Sequence, residues 1–63
     1  MEYEIGTQFK ENDTDKYFGE ILSKEIISGK MVYTFELRKW DGKVITSEWK
    51  IPHNDVLMIF TEI

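Results

Sequence analysis

Arg38-Lys39-Trp40-Asp41-Gly42-Lys43 is the densest grouping of chemistry-bearing side chains in the chain. An indole offers a flat π surface for a base or a cation, and Arg38, Lys39 and Lys43 supply charge for phosphate contacts. Stacking beside backbone neutralisation is how single-stranded nucleic acid is held. Against that use stand acidic residues among the cations and a net charge of −4 over 63 residues, where a nucleic-acid domain is usually basic.

The other candidate groups carry less. Glu11, Asp13 and Asp15 alternate carboxylates, but the glycine and the distal bidentate glutamate of a calcium loop are missing, so no metal site is expected. With Glu2, Glu4, Glu20 and Glu62 they supply an acidic surface suited to a basic protein. His53 is the only histidine, there is no cysteine, and Ser23, Ser28 and Ser47 sit in no nucleophile motif. Neither catalysis nor a cofactor is expected. The charge is uneven: residues 1–23 hold six acids and two lysines, residues 24–50 six cations and four acids, and residues 51–63 two acids.

These residues must be positioned by a small core. Without cysteine there is no disulfide framework and no thiolate zinc, so packing alone holds the fold. Apolar residues at 41% and aromatics at 14% are enough for one core built from a few large side chains. Residues 1–63 are therefore read as a single domain. No apolar run is long enough to span a bilayer and Met1-Glu2-Tyr3-Glu4 is not a signal peptide, which makes the expected location cytoplasmic, with no membrane partner.

Five strands are predicted. Ile5–Phe9 is followed by a polar loop, Lys10–Lys16, and then by a long curved strand, Tyr17–Ile27, in which Gly19 suits a bulge. Ser28-Gly29-Lys30 turns the chain into Met31–Lys39, the clearest period-two segment. After Ile51, Pro52–Asp55 cannot continue a central strand and predicts a 3₁₀ turn. Val56–Thr61 is read as the last strand, with either Leu57 and Ile59 or Val56, Met58 and Phe60 inward. No helix is expected. Five short, curved strands close most economically as a small barrel.

The turn at Asp41-Gly42 has two readings. A two-residue loop sets Leu37 opposite Thr46 and Phe35 opposite Glu48, so the apolar faces miss each other. A three-residue loop, Trp40-Asp41-Gly42 with Gly42 left-handed, pairs Lys39 with Lys43 and brings Leu37 to Ile45, Phe35 to Ser47 and Tyr33 to Trp49. A one-residue slip exchanges core for solvent along the whole strand, so the three-residue loop is preferred.

In order, Ile5-Gly6, Phe9, Tyr17-Phe18-Gly19-Glu20-Ile21, Tyr33-Thr34-Phe35, Asp41-Gly42, Ile51-Pro52 and Val56-Leu57 resemble the SH3-like small barrels and, among them, the Tudor-like group. The resemblance covers nearly the whole chain. It implies an all-β, five-stranded SH3-like barrel with a short 3₁₀ turn near Pro52–Asp55. Many Tudor-like domains cage methylated lysine or arginine with aromatic residues, and the matching positions here are Tyr17, Phe18, Tyr33 and Phe35, with Asp41-Gly42 at the turn. Lys43 stands where the family commonly has an acid, and the pattern assigns Tyr33, Phe35 and Trp49 to the core. That leaves Tyr17 or Phe18 with Trp40. One enzyme family on this fold, the type II dihydrofolate reductases, has Val-Gln-Ile-Tyr where this chain has Ser47-Glu48-Trp49-Lys50, so its activity is not carried over.

The resulting expectation is a non-enzymatic protein-binding module that uses Tyr17, Phe18, Trp40 and Asp41. A nucleic-acid-linked role is the alternative. It takes the form of direct DNA or RNA contact through Arg38, Lys39 and Lys43, or of an acidic, phage-type mimic of DNA that blocks a nucleic-acid enzyme. An oligomer interface made of exposed apolar residues is a third class.

Overall fold

The computed structural model describes residues 2–14 and 16–63. Its strands are β1 (Gln8–Glu11), β2 (Tyr17–Ile27), β3 (Lys30–Lys39), β4 (Val44–Pro52) and β5 (Phe60–Glu62). They form one antiparallel sheet in the order β4-β3-β2-β1-β5. The sheet is open, with β4 at one edge and β5 at the other. It is strongly curved, and Trp49 of β4 meets Phe60 of β5 edge-on, ring centroids 5.8 Å apart.

Alternation along the strands explains the core. Phe9, Ile21, Tyr33, Phe35, Ile51, Val56 and Phe60 are buried, and Tyr3, Met31, Leu37, Trp49 and Ile59 pack against them. Five rings, those of Tyr3, Phe9, Tyr33, Phe35 and Phe60, lie in a continuous chain of contacts at 5.0–5.6 Å. A few large aromatics thus do the work of a longer aliphatic core.

Gly19 has a different role from the one the sequence suggests. It pairs regularly with Phe9 on one side and Leu37 on the other. A Cβ built on it would stand 3.0 Å from Phe60 and 3.1 Å from Phe35, whose rings stack at 5.0 Å over the strand. The missing side chain admits the rings. The bulge falls at Leu22 instead, where the register steps between Ile21 and Ser23. It reverses the alternation, so that Lys24 rather than Ser23 shares the face of Tyr33.

The three-residue loop forms as expected. Lys39 N–H donates to Lys43 C=O and Gly42 N–H to Lys39 C=O, both at 2.9 Å, and Gly42 has φ +95°. Arg38 faces Val44 in that register. The expected pairs beyond it do not form. Leu37 faces Thr46, Phe35 faces Trp49 and Tyr33 faces Ile51, because two irregularities insert an extra residue each into β4. Ile45 is consequently exposed. The bulges bend β4 enough to bring Trp49 and Ile51 over the core. They also blunt an outer edge that carries Glu48, Lys50 and Pro52.

The first and last elements differ from the sequence reading. Strand β1 starts at Gln8, since Ile5-Gly6 is a turn whose Gly6 N–H donates to Ile21 C=O at 2.8 Å. The 3₁₀ turn is present at His53–Asp55, after Pro52. It runs into a single helical turn, α1 (Val56–Ile59), where a strand was expected, and β5 begins only at Phe60. Val56 and Phe60 are buried while Leu57 and Met58 are exposed, the i to i+4 spacing of a helical turn. An apolar run on both faces carries no period, so burial of Val56 and Phe60 in the core chose its conformation.

Candidate binding surfaces

Residues 17 and 18 point to opposite faces of β2, and only tertiary structure reveals what each meets. Tyr17 lies opposite Lys39 and Phe18 opposite Arg38, at the hairpin end where Trp40 begins the loop. The Trp40 indole stacks on the Phe18 ring, centroids 4.8 Å apart and planes 29° from parallel. It remains 55% exposed. Tyr17, Trp40 and Asp41 line an open depression of about 460 Å³, together with Lys16 and Lys39. Phe18 backs the indole, and Tyr17 shares the depression with it.

Asp41 serves the loop first. Its Oδ1 accepts from Lys43 N–H at 2.9 Å, an Asx turn that locks the tip. Lys39 and Lys43 are neighbours across the hairpin neck, an arrangement that concentrates like charge at an exposed end.

Arg38 is differently placed from its neighbours. Its guanidinium lies 4.4 Å from the Phe18 ring centroid, a cation–π contact, and Nη2 donates to Glu20 Oε1 at 3.1 Å. Its Nε is 3.0 Å from Glu36 Oε1, an ion pair without the direction of a hydrogen bond. Gln8 Nε2 also donates to Glu20 Oε1, at 3.2 Å. The charge of Arg38 is thus met by two carboxylates on the outer face of the sheet. This takes it out of the group of cations the sequence placed beside Trp40.

Three further acids of the N-terminal third are likewise turned to partners. Glu2 and Glu4 converge on Lys24, at 2.6 and 3.6 Å, and Glu11 accepts from Thr14. Lys24 holds the Glu2 carboxyl below its usual range, chiefly by the hydrogen bond, and Glu2 in turn raises Lys24. Asp15 lies outside the described residues. Among the described residues no group of histidine and carboxylate side chains is arranged to hold a metal. None of their helices is long and apolar enough to cross a membrane.

A second cleft escaped the sequence reading. It lies between the β2–β3 turn and the 3₁₀ turn, holds about 470 Å³, and is lined by Glu2, Lys30, Met31, Pro52, His53 and Asn54. Its signal in the sequence was a lone histidine after a proline. What made it invisible is that the ring's partner, Tyr33, is 20 residues away.

No family model matches the chain, and neither does any curated protein or solved structure. The functional reading therefore rests on the surfaces themselves.

Proposed function

We propose that the chain is a non-enzymatic, SH3-like and Tudor-like barrel that binds a protein through Tyr17, Trp40 and Asp41, with Phe18 behind the indole. The observation that carries this is the Phe18–Trp40 stack: a large apolar side chain is exposed, yet already held in one orientation. Rigid aromatic surface binds with little loss of conformational entropy, which is why tryptophan and tyrosine dominate protein-contact hot spots. Support for the barrel comes from the curl that brings Trp49 onto Phe60 across the open side of the sheet. The engagement of Arg38 with Glu20 and Glu36 favours a protein over a nucleic acid, because it leaves only lysines beside the indole.

The test is affinity capture of partners from the source cells. Capture is expected with the wild type and with Lys50→Gln, and is expected to be lost with Trp40→Ala. Equal capture by Trp40→Ala would place the binding surface elsewhere. Retardation of single-stranded DNA at low salt, abolished by Lys39→Gln with Lys43→Gln, would replace the protein reading by the nucleic-acid one.

A further inference from the structure

Tyr33 is fully buried, and its hydroxyl has two polar neighbours, Tyr3 N–H at 3.0 Å and His53 Nδ1 at 2.8 Å. A backbone N–H only donates, so the hydroxyl oxygen accepts from Tyr3. The hydroxyl hydrogen then needs an acceptor, and among the described residues His53 Nδ1 is the one in reach. A neutral imidazole that accepts at Nδ1 carries its proton on Nε2. The ring is also packed in place, with the Tyr3 ring at 5.3 Å and the Tyr33 ring at 5.7 Å.

We infer that His53 is held as the Nε2–H tautomer, and that this donor and the Lys30 ammonium make the cleft between the β2–β3 turn and the 3₁₀ turn a site for a carboxylate on an apolar body. Lys30 makes no ion pair among the described residues, so its charge is open to a ligand. Glu2 is the one acid among the described residues that line it, and it is engaged by Lys24 at 2.6 Å. Met31 and Pro52 give the cleft apolar walls, and about 470 Å³ accommodates a small aromatic acid or the last residue of a peptide. The two sources share the same chemistry: two donors for the carboxylate and apolar contact for what carries it. The site stands on the face of Tyr33 and His53, away from Trp40, and is independent of the protein-binding reading.

Two measurements on the full chain test it. Long-range ¹H–¹⁵N correlation of the imidazole is expected to show a protonated Nε2 and an unprotonated Nδ1; a proton on Nδ1 overturns the assignment. Benzoate, and a Gly-Leu-Phe peptide with a free C-terminus, are then titrated while the resonances of Lys30, Met31, Pro52 and His53 are followed. Saturable shifts with a Kd of about 1–10 mM are expected from at least one, as suits an open cleft. Whichever binds more tightly identifies the source. Lys30→Gln is expected to weaken binding about tenfold, the loss of one charge-assisted hydrogen bond, with Lys50→Gln unchanged. No saturable shift from either probe overturns the proposal. So does equal binding by Lys30→Gln, or by the same peptide with an amidated C-terminus.

Discussion

The Phe18 ring, from the start of the central strand β2, and the Trp40 indole, from a loop, stack at a centroid distance of 4.8 Å. A stacked pair of this kind adds about 0.5–1.5 kcal/mol beyond burial. Trp40→Ala removes that gain together with the burial of less than half of the indole, and is expected to lower stability by about 1–2 kcal/mol. Trp49 packs on the core against Phe60, and Trp49→Ala is expected to cost more, about 2–4 kcal/mol. Urea unfolding of both variants separates the roles, and equal losses would mean that Trp40 is a core residue and not a surface one.

Gly19→Ala places a methyl group 3.0–3.2 Å from the Phe60 and Phe35 rings, closer than the roughly 3.5–4.0 Å of ordinary carbon contact. The expected loss is about 1–3 kcal/mol. If the rings are the cause, Phe60→Leu relieves part of it, and the double variant is less destabilised than the sum of the single ones. Strict additivity in thermal or urea unfolding would count against the steric account.

Asn12 ties the loop after β1 to the C-terminal turn. Its backbone N–H donates to Ile59 C=O at 2.9 Å, its Nδ2 to Leu57 C=O at 3.3 Å, and its Oδ1 accepts from Thr61 Oγ1. These donors meet carbonyls that a single helical turn leaves without partners. Asn12→Ala removes both side-chain bonds and should cost about 0.5–1.5 kcal/mol. Faster amide exchange at residues 57–61, with the β2–β3 ladder unchanged, is the expected signature. Uniform acceleration across the sheet would contradict this local role.

The N-terminal segment is held by an ion pair with a defined pH window. Glu2 titrates below its ordinary 4.5 in the folded chain because Lys24 hydrogen-bonds to it and lies close by in charge. Its contribution is present above that value and is lost as pH falls through the depressed one. Lys24 is raised above its ordinary 10.5, chiefly by Glu2, so its contribution is present below that value and is lost as pH rises through the raised one. Glu2→Gln should therefore be less stable than the wild type between these limits and converge with it in acid. The pair is exposed, so the difference is small and shrinks with salt. A constant difference down to pH 2 would show that the ionisation of Glu2 is not its source.

Much of the sheet was legible because its signals are local. Tyr17–Ile27 and the alternation of Met31, Tyr33, Phe35 and Leu37 appear as β2 and β3, and the Trp40-Asp41-Gly42 loop forms, although the apolar pairs that argued for it do not. The register past Arg38 was not legible. Each bulge shifts it by one residue and leaves no mark in a pattern read strand by strand. The helical turn at Val56–Ile59 was hidden by a run that is apolar throughout, and Gly19 by the fact that its neighbour Phe60 lies 41 positions on.

By itself the sequence determined that the chain is mostly β, where its hairpins turn, and that aromatic side chains must supply the core, since alternation, turn residues and composition act over a few positions. The tertiary structure decided which residues meet. It set Phe18 behind Trp40, drew Arg38 away to Glu20 and Glu36, and joined Tyr33 to Tyr3 and His53. Those contacts depend on where bulges re-aim the strands and on how the curved sheet brings distant residues together, and no short stretch of sequence contains that information.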